Sequence, residues 1–167
     1  MQTPNSVPEN LPAGVSPLER QGAMAVAADL SGVDVREVQS YYGCHLHPAS
    51  MVDDLKLWDS GTTWQWTFQG EVLAMGGVFL KDGLSHGWLQ ATRQSLKAPV
   101  AFGLALARLM RRLRKGRQIF VIVDRRNKLH YHWLRRQPGW LSLPATPADL
   151  PPGGEWPWFD YGTLPAL

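Results

Sequence analysis

The sequence predicts a mixed α/β fold, a central sheet with helices on both faces, and three stretches predict it. Trp64, Trp66 and Phe68 alternate with Gln65, Thr67 and Gln69, a period of two that describes a strand with one buried face. After Pro99, Phe102, Leu106, Leu109 and Leu113 recur at helical spacing, so a helix turns one apolar stripe inward. Ile119 to Val123 is an unbroken apolar run rich in β-branching, which reads as a buried strand. A helical crossover between two strands makes those strands parallel. The composition of 167 residues, 44% apolar and 19% charged, fits one globular domain. No apolar run approaches the roughly 20 residues a membrane span requires.

Residues 1–15 hold Pro4, Pro8 and Pro12 and few large apolar groups, so they read as an extended arm. They lack a basic stretch followed by an apolar core, and no secretory signal is expected. The single cysteine, Cys44, forms no internal disulfide and agrees with a reducing compartment. Ser16-Pro17-Leu18-Glu19 has the form of a capping box, which predicts a helix from there to about Leu30. Further helices are expected over Val33 to Tyr42 and after Ser50, with Asp53 at the third helical position. From Thr62 the period changes to two. Gly70 marks a turn, Val72 to Leu80 is apolar on both faces as a central strand is, and Lys81-Asp82-Gly83 leads a hairpin into Leu84 to Ala91.

Beyond the crossover helix and Gly116, the Ile119 strand ends near Asn127, which caps a last helix. At about 100° per residue, Leu129, His130, Trp133 and Leu134 share its inner side, and Lys128, His132, Arg135 and Arg136 the outer. Residues 16–143 thus form the domain. Residues 144–167 are rich in proline yet carry Trp156, Trp158, Phe159 and Tyr161. Disordered tails are poor in aromatics, so this segment docks on its own domain or on a partner.

Three pieces of this order are similar to a known family: Gly70-Glu71-Val72-Leu73-Ala74-Met75-Gly76-Gly77, Gly87-Trp88-Leu89-Gln90-Ala91-Thr92, and Asn127-Lys128-Leu129-His130-Tyr131-His132-Trp133-Leu134. Over roughly residues 62–143 the chain resembles the GNAT acetyltransferase superfamily. Its nearest resemblance is to the small GNAT-like internal virion proteins of short-tailed bacteriophages. The resemblance implies a GNAT-like fold in which the strands near 84–92 and 118–124 splay apart around acetyl-CoA. It implies cofactor contacts from Leu89, Gln90 and Ala91 on the strand edge, from Arg93 and Lys97 at the pyrophosphate loop, and from Asn127 and Trp133 at the last helix. A helix N-terminus suits the pyrophosphate because free amides and the helix dipole favour an anion. Family members build that loop with glycines; Arg93-Gln94-Ser95-Leu96-Lys97-Ala98-Pro99 has none, and Pro99 lacks an N–H. The family's acid tyrosine would fall at Leu134. His130 and Tyr131 are therefore the catalytic candidates, with Asp124 and His86 as candidate bases.

Other clusters carry competing readings. A histidine on an inner helix face is more often a core group bonded to backbone than a catalyst. Cys44-His45-x-His47 is half a metal site with no second half at usable spacing, so no metal is expected. Gly76-Gly77 suits either close ligand approach or a bulge. Eleven of the 17 Lys and Arg residues lie between Arg108 and Arg136, where Asp124 is the only acid. Such a patch suits non-specific nucleic acid, an acidic partner or the phosphates of CoA, and equally a solvated helix exterior. Three functional expectations result. The first is a phage-encoded, virion-associated or accessory acetyltransferase-like protein with a degenerate acetyl-CoA site. The second is an active N-acetyltransferase on a small-molecule or protein amine. The third is a binding module acting through the basic patch. The expected location is the host cytoplasm, or the virion, with no membrane contact.

Overall fold

The computed structural model describes residues 10–56, 58 and 62–167; most of the expected arm lies outside them. In chain order the elements are β1 (Val15–Pro17), α1 (Arg20–Ala28), α2 (Gly32–Tyr42), α3 (Pro48–Leu55), β2 (Thr62–Phe68), β3 (Glu71–Lys81) and β4 (Leu84–Ala91). There follow α4 (Pro99–Leu113), β5 (Ile119–Asp124), α5 (Lys128–Arg135), β6 (Leu141–Pro144) and β7 (Phe159–Leu164). One sheet contains all seven strands in the order β1-β2-β3-β4-β5-β7-β6. Every neighbouring pair is antiparallel except β4 and β5, which are parallel. This is the mixed sheet that the meander and crossover predict. Among the described residues no helix is long and apolar enough to cross a membrane.

Alternation along the strands sorts the helices between two faces. Trp64, Trp66, Ala74 and Val78 pack under Phe102, Leu106, Leu109 and Leu113 of α4 and Leu134 of α5. Met75, on the opposite face, packs under Ala23, Val26 and Ala27 of α1 and Val52 of α3. Each large side chain of the α4 stripe contributes about 2 kcal/mol by leaving water, which is what holds this helix to the sheet. Gly76 and Gly77 make room for indoles. A Cβ on Gly76 would lie 2.5 Å from the Trp64 ring, and one on Gly77 3.0 Å from Trp88 Nε1. The sheet's irregularity falls instead between Trp66 and Thr67.

Four sequence expectations need correction. The Ser16 capping box does not form, because Val15–Pro17 pairs with β2 as an edge strand. The helix starts instead at Arg20, with Glu19 before it donating its amide to Gln65 Oε1 at 3.2 Å; Gln65 is itself buried, and β2 is buried on both faces rather than one. Asp53 leaves the third helical position of α3 for a two-pronged bond to Arg20. Leu129 is 51% exposed, since α5 turns only His130 and Leu134 fully inward. The Pro-rich segment supplies an interior strand as well: the six residues Phe159–Leu164 contain no proline and pair along their whole length with β5. Phe159 and Leu164 are its buried anchors, while Trp156 and Trp158 stay 42% and 46% exposed.

The end of α4 is tied to this strand. Arg114, 2% exposed, donates from Nε to the Pro165 carbonyl at 2.8 Å and from a terminal nitrogen to the Pro138 carbonyl at 3.0 Å. A buried guanidinium held only by carbonyls has no substitute donor if it is removed. Arg114→Ala is expected to cost about 3 kcal/mol, read as a lower midpoint in urea unfolding. Arg112→Ala, on the exposed side of the same helix, is expected to leave that midpoint nearly unchanged.

Candidate active site

Strands β4 and β5 touch at only two positions, His86 opposite Phe120 and Gly87 opposite Val121. Beyond them the strands diverge. The open end is held by α2. The Ser31 amide donates to the Ala91 carbonyl at 3.3 Å and Leu30 bridges Thr92, which engages the end of β4. On the other side, Glu37 Oε1 accepts from the Asp124 amide at 3.1 Å. The next amide, that of Arg125, donates to Trp158 beside β7. Alternation along a strand therefore turns the Asp124 N–H into the gap.

A cleft of about 370 Å³ passes through this opening, lined by Tyr41 of α2, His86, Leu89 and Gln90 of β4, and His130 and Trp133 of α5. Five of the residues that the sequence singles out thus meet here: His86, Leu89, Gln90, His130 and Trp133. Tyr131 faces away. Its hydroxyl is directed at Asp160, and burial with that acid raises its pKa. Ala91 spends its carbonyl on Ser31, and Lys97 is exposed beyond the cleft. Asp124 is committed as well, to Arg126, at 2.7 Å.

Asn127 caps α5 through Oδ1, which accepts from the His130 amide at 3.4 Å. Its side-chain nitrogen is spent on a cluster that joins helices from opposite faces of the sheet. Nδ2 lies 3.0 Å from Asp34 Oδ1, 2.6 Å from Glu37 Oε2 and 3.0 Å from His130 Nδ1. The three outer groups have metal-ligand character, with donor atoms within 4.8 Å of one another, but the amide nitrogen holds the space between them. The contact with His130 Nδ1 is a hydrogen bond when the Asn127 amide donates to an unprotonated Nδ1, so its direction follows the imidazole tautomer. A protonated imidazole at His130 faces Glu37 at 3.5 Å and Asp34 at 3.6 Å. Burial opposes that charge, yet the Glu37 and Asp34 carboxylates outweigh it and raise the His130 pKa. Burial raises the Asp34 pKa, and His130 partly offsets this. Asp34 and Glu37, three apart on the predicted helix over Val33 to Tyr42, are cleft-lining carboxylates that the sequence reading missed. Their shared face beside Tyr41 is the signal that marks them.

His86 sits at the apex of the divergence. Its ring lies among Phe79, Phe120 and Tyr161, it is 8% exposed, and among the described residues it makes no hydrogen bond. Burial, with a contribution from Lys81, lowers its pKa, so the ring is neutral at pH 7 and one nitrogen is free to accept a proton. Tyr41 is pushed up to about 12, chiefly by burial, and keeps its hydroxyl proton. The basic patch is narrower than the sequence implies. Arg114 is buried, Arg125 binds Asp160 and the Pro157 and Phe159 carbonyls, and Arg126 binds Asp124 and Ser40 while covering Trp158.

The inner position of His130 is testable by stability. Removing it leaves two buried carboxylates without a cation, so His130→Ala is expected to destabilise by about 3 kcal/mol and His132→Ala by much less. Because the folded-state pKa is raised, the stabilisation is full below the unfolded value of 6.5 and falls as pH rises through the folded value. The gap in melting temperature between wild type and His130→Ala is therefore expected to shrink as pH rises above 6.5, measured by circular dichroism.

No protein-family model matches the sequence, and no curated protein matches it. Solved structures do. The GNAT superfamily phosphinothricin acetyltransferase of Sinorhizobium meliloti, in complex with acetyl-CoA, is similar over 91% of this chain and 87% of its own, with 10% identity and TM-score 0.62. The ribosomal-protein-alanine N-acetyltransferase of Brucella melitensis is similar over 90% of this chain and 98% of its own, at 10% identity and TM-score 0.60. A GNAT-family acetyltransferase of Streptococcus pneumoniae is similar over 89% and 95%, at 12% identity and TM-score 0.55. With its parallel pair diverging around a cleft, the chain has the fold of the GNAT acetyltransferases.

Proposed function

We propose that this protein binds acetyl-CoA between β4 and β5 and transfers the acetyl group to an amine. One observation carries the reading: among the described residues, the one parallel pair in the sheet parts after two residue pairs, and a buried imidazole without a hydrogen-bond partner stands at the point of parting. Support for the donor comes from the same fold holding acetyl-CoA in a solved structure.

The residues present fit such a donor unequally along its length. At the thioester end, the strand edge from Trp88 to Gln90 has no strand partner on the β5 side, and Gln90 Oε1 is buried without a hydrogen bond. At the diphosphate end the amides of Arg93, Ser95 and Ala98 are already bonded to Asp29, Thr92 and Ser95. Val100 and Ala101 at the start of α4, with the Arg93 and Lys97 side chains, would hold the phosphates. When bound, acetyl-CoA supplies an activated acyl group. The chain supplies His86, which would take the proton lost by the acceptor nitrogen as its bond to the acyl carbon forms and the carbon–sulfur bond breaks, with CoA leaving as the thiolate, and an apolar cleft around the reacting atoms.

The test is calorimetric titration with acetyl-CoA, with saturation expected to raise the melting temperature through linkage. Lys97→Ala is expected to weaken that binding several-fold, more so at low salt, and absence of binding to the wild type would remove the reading. If His86 is the base, kcat measured against pH falls only below the ordinary histidine value of 6.5, and His86→Gln abolishes that limb.

A second reading, a virion-associated or accessory binding protein, is favoured by a separate feature. Leu141 and Leu143 on the edge strand β6, with Trp156 nearby in the chain's last segment, are largely exposed. Replacing both leucines by Lys is expected to abolish any self-association or partner contact seen by ultracentrifugation and to leave acetyl-CoA binding intact.

A further inference from the structure

Helices α4 and α5 lie on one face of the sheet, where their apolar sides share a core, and α1 and α3 lie on the other. The outward sides of these two layers differ in charge. Around α1 and α3 the exposed groups include Glu19, Asp53 and Asp54. Between Pro99 and Trp140 the one acid, Asp124, is buried against Arg126, while eleven Lys and Arg residues fall in the same stretch. Four of the eleven, Arg114, Arg117, Arg125 and Arg126, have partners within the chain. The other seven are exposed, and among the described residues none of them is ion-paired.

These seven form two rows. Arg108, Arg111 and Arg112 share the outer side of α4, with Lys115 one turn on, and Lys128, Arg135 and Arg136 share that of α5. Like charges at spacings of three and four residues repel. The helix dipole favours Arg111, Arg112 and Arg135, which stand in last turns. It does not account for Arg108, and it opposes Lys128, the first residue of α5.

We propose that this face binds the phosphate backbone of duplex nucleic acid without reading its sequence. The proposal stands independently of acetyl transfer. The α4 row runs about 10 Å at 1.5 Å per residue, long enough to meet several phosphates of a duplex that carries one charge per about 1.7 Å of axis. Five of the seven cations are arginine, whose planar fork meets two phosphate oxygens at once. A protein or membrane partner is anchored by apolar or aromatic groups among the charges, and from Arg108 to Lys115 no large apolar side chain is exposed. A single strand is held by bases stacking on exposed rings. The one ring of α4, Phe102, is buried, and the Arg135 guanidinium covers Tyr131 of α5.

The experiment is fluorescence anisotropy of the full chain with a labelled mixed-sequence duplex at rising salt. Affinity is expected to fall at least about tenfold between 50 and 200 mM salt and to be insensitive to sequence. Arg108→Ala combined with Arg112→Ala is expected to weaken binding about tenfold and to reduce the log–log salt slope by about two, at an unchanged melting temperature. Arg36→Ala combined with Lys81→Ala removes the same net charge outside the rows and is expected to leave affinity within about threefold. Equal losses in the two double variants, or no wild-type binding at 50 mM salt, overturn the proposal. So does equal affinity for a single strand of the same length, tighter binding to polyglutamate or to phosphatidylserine vesicles, or displacement of the duplex by acetyl-CoA, which would give the rows to the donor's phosphates. Should the first double variant fold poorly, the wild-type salt slope and these competitors decide alone.

Discussion

Two parallel strands that begin to pair have every reason to continue, since each further step satisfies two backbone groups. Here they stop because α2 is bonded into the space between them. Its first residues occupy the end of β4 through Ser31 and Leu30, and Glu37 takes the Asp124 N–H of β5. The opening is thus built, and each inward backbone group named here has a partner other than the opposite strand. The cleft, its two polar ends and the positions of His86 and His130 all depend on this insertion.

The same insertion explains the buried charge. A helix from one face and a helix from the other meet through the sheet only where the sheet is open, and there the contact is made by Asp34, Glu37, Asn127 and His130. The two carboxylates raise the pKa of the imidazole between them, and burial raises that of Asp34, so the cluster shares its protons. Asn127 therefore serves two levels of structure. It starts α5 by accepting the His130 amide, and it fixes the side chains that join α5 to α2.

The strands and the crossover were legible because their signal is local: a period of two in β2, an apolar run in β5, a proline and a stripe in α4. The cap at Asn127 was legible for the same reason. The site was legible in part. His130 was placed inward by angle alone, but its partners lie 90 and 93 residues from Asn127, and nothing local announces such a pairing. Misreadings occurred where a distant group took over a local role. Pairing with β2 draws Val15–Pro17 into a strand, which moves the start of α1 from Ser16 to Arg20. Tyr131 was named with His130 because the two are adjacent, yet one step around a helix turned its hydroxyl toward Asp160.

The position of β7 carries a consequence for how the chain assembles. Strand β6 precedes it in sequence but bonds only to it, so β6 has no place on the sheet until the residues after Trp158 have been laid against β5. Until then β5 presents a bare row of amides and carbonyls, with Ile119 and Val123 beside it, the kind of unpaired border at which chains join wrongly to one another. The Arg114 guanidinium grips the Pro165 carbonyl just past β7 and so ties down the strand that covers this border. In this sense β7 closes the sheet against its own copies.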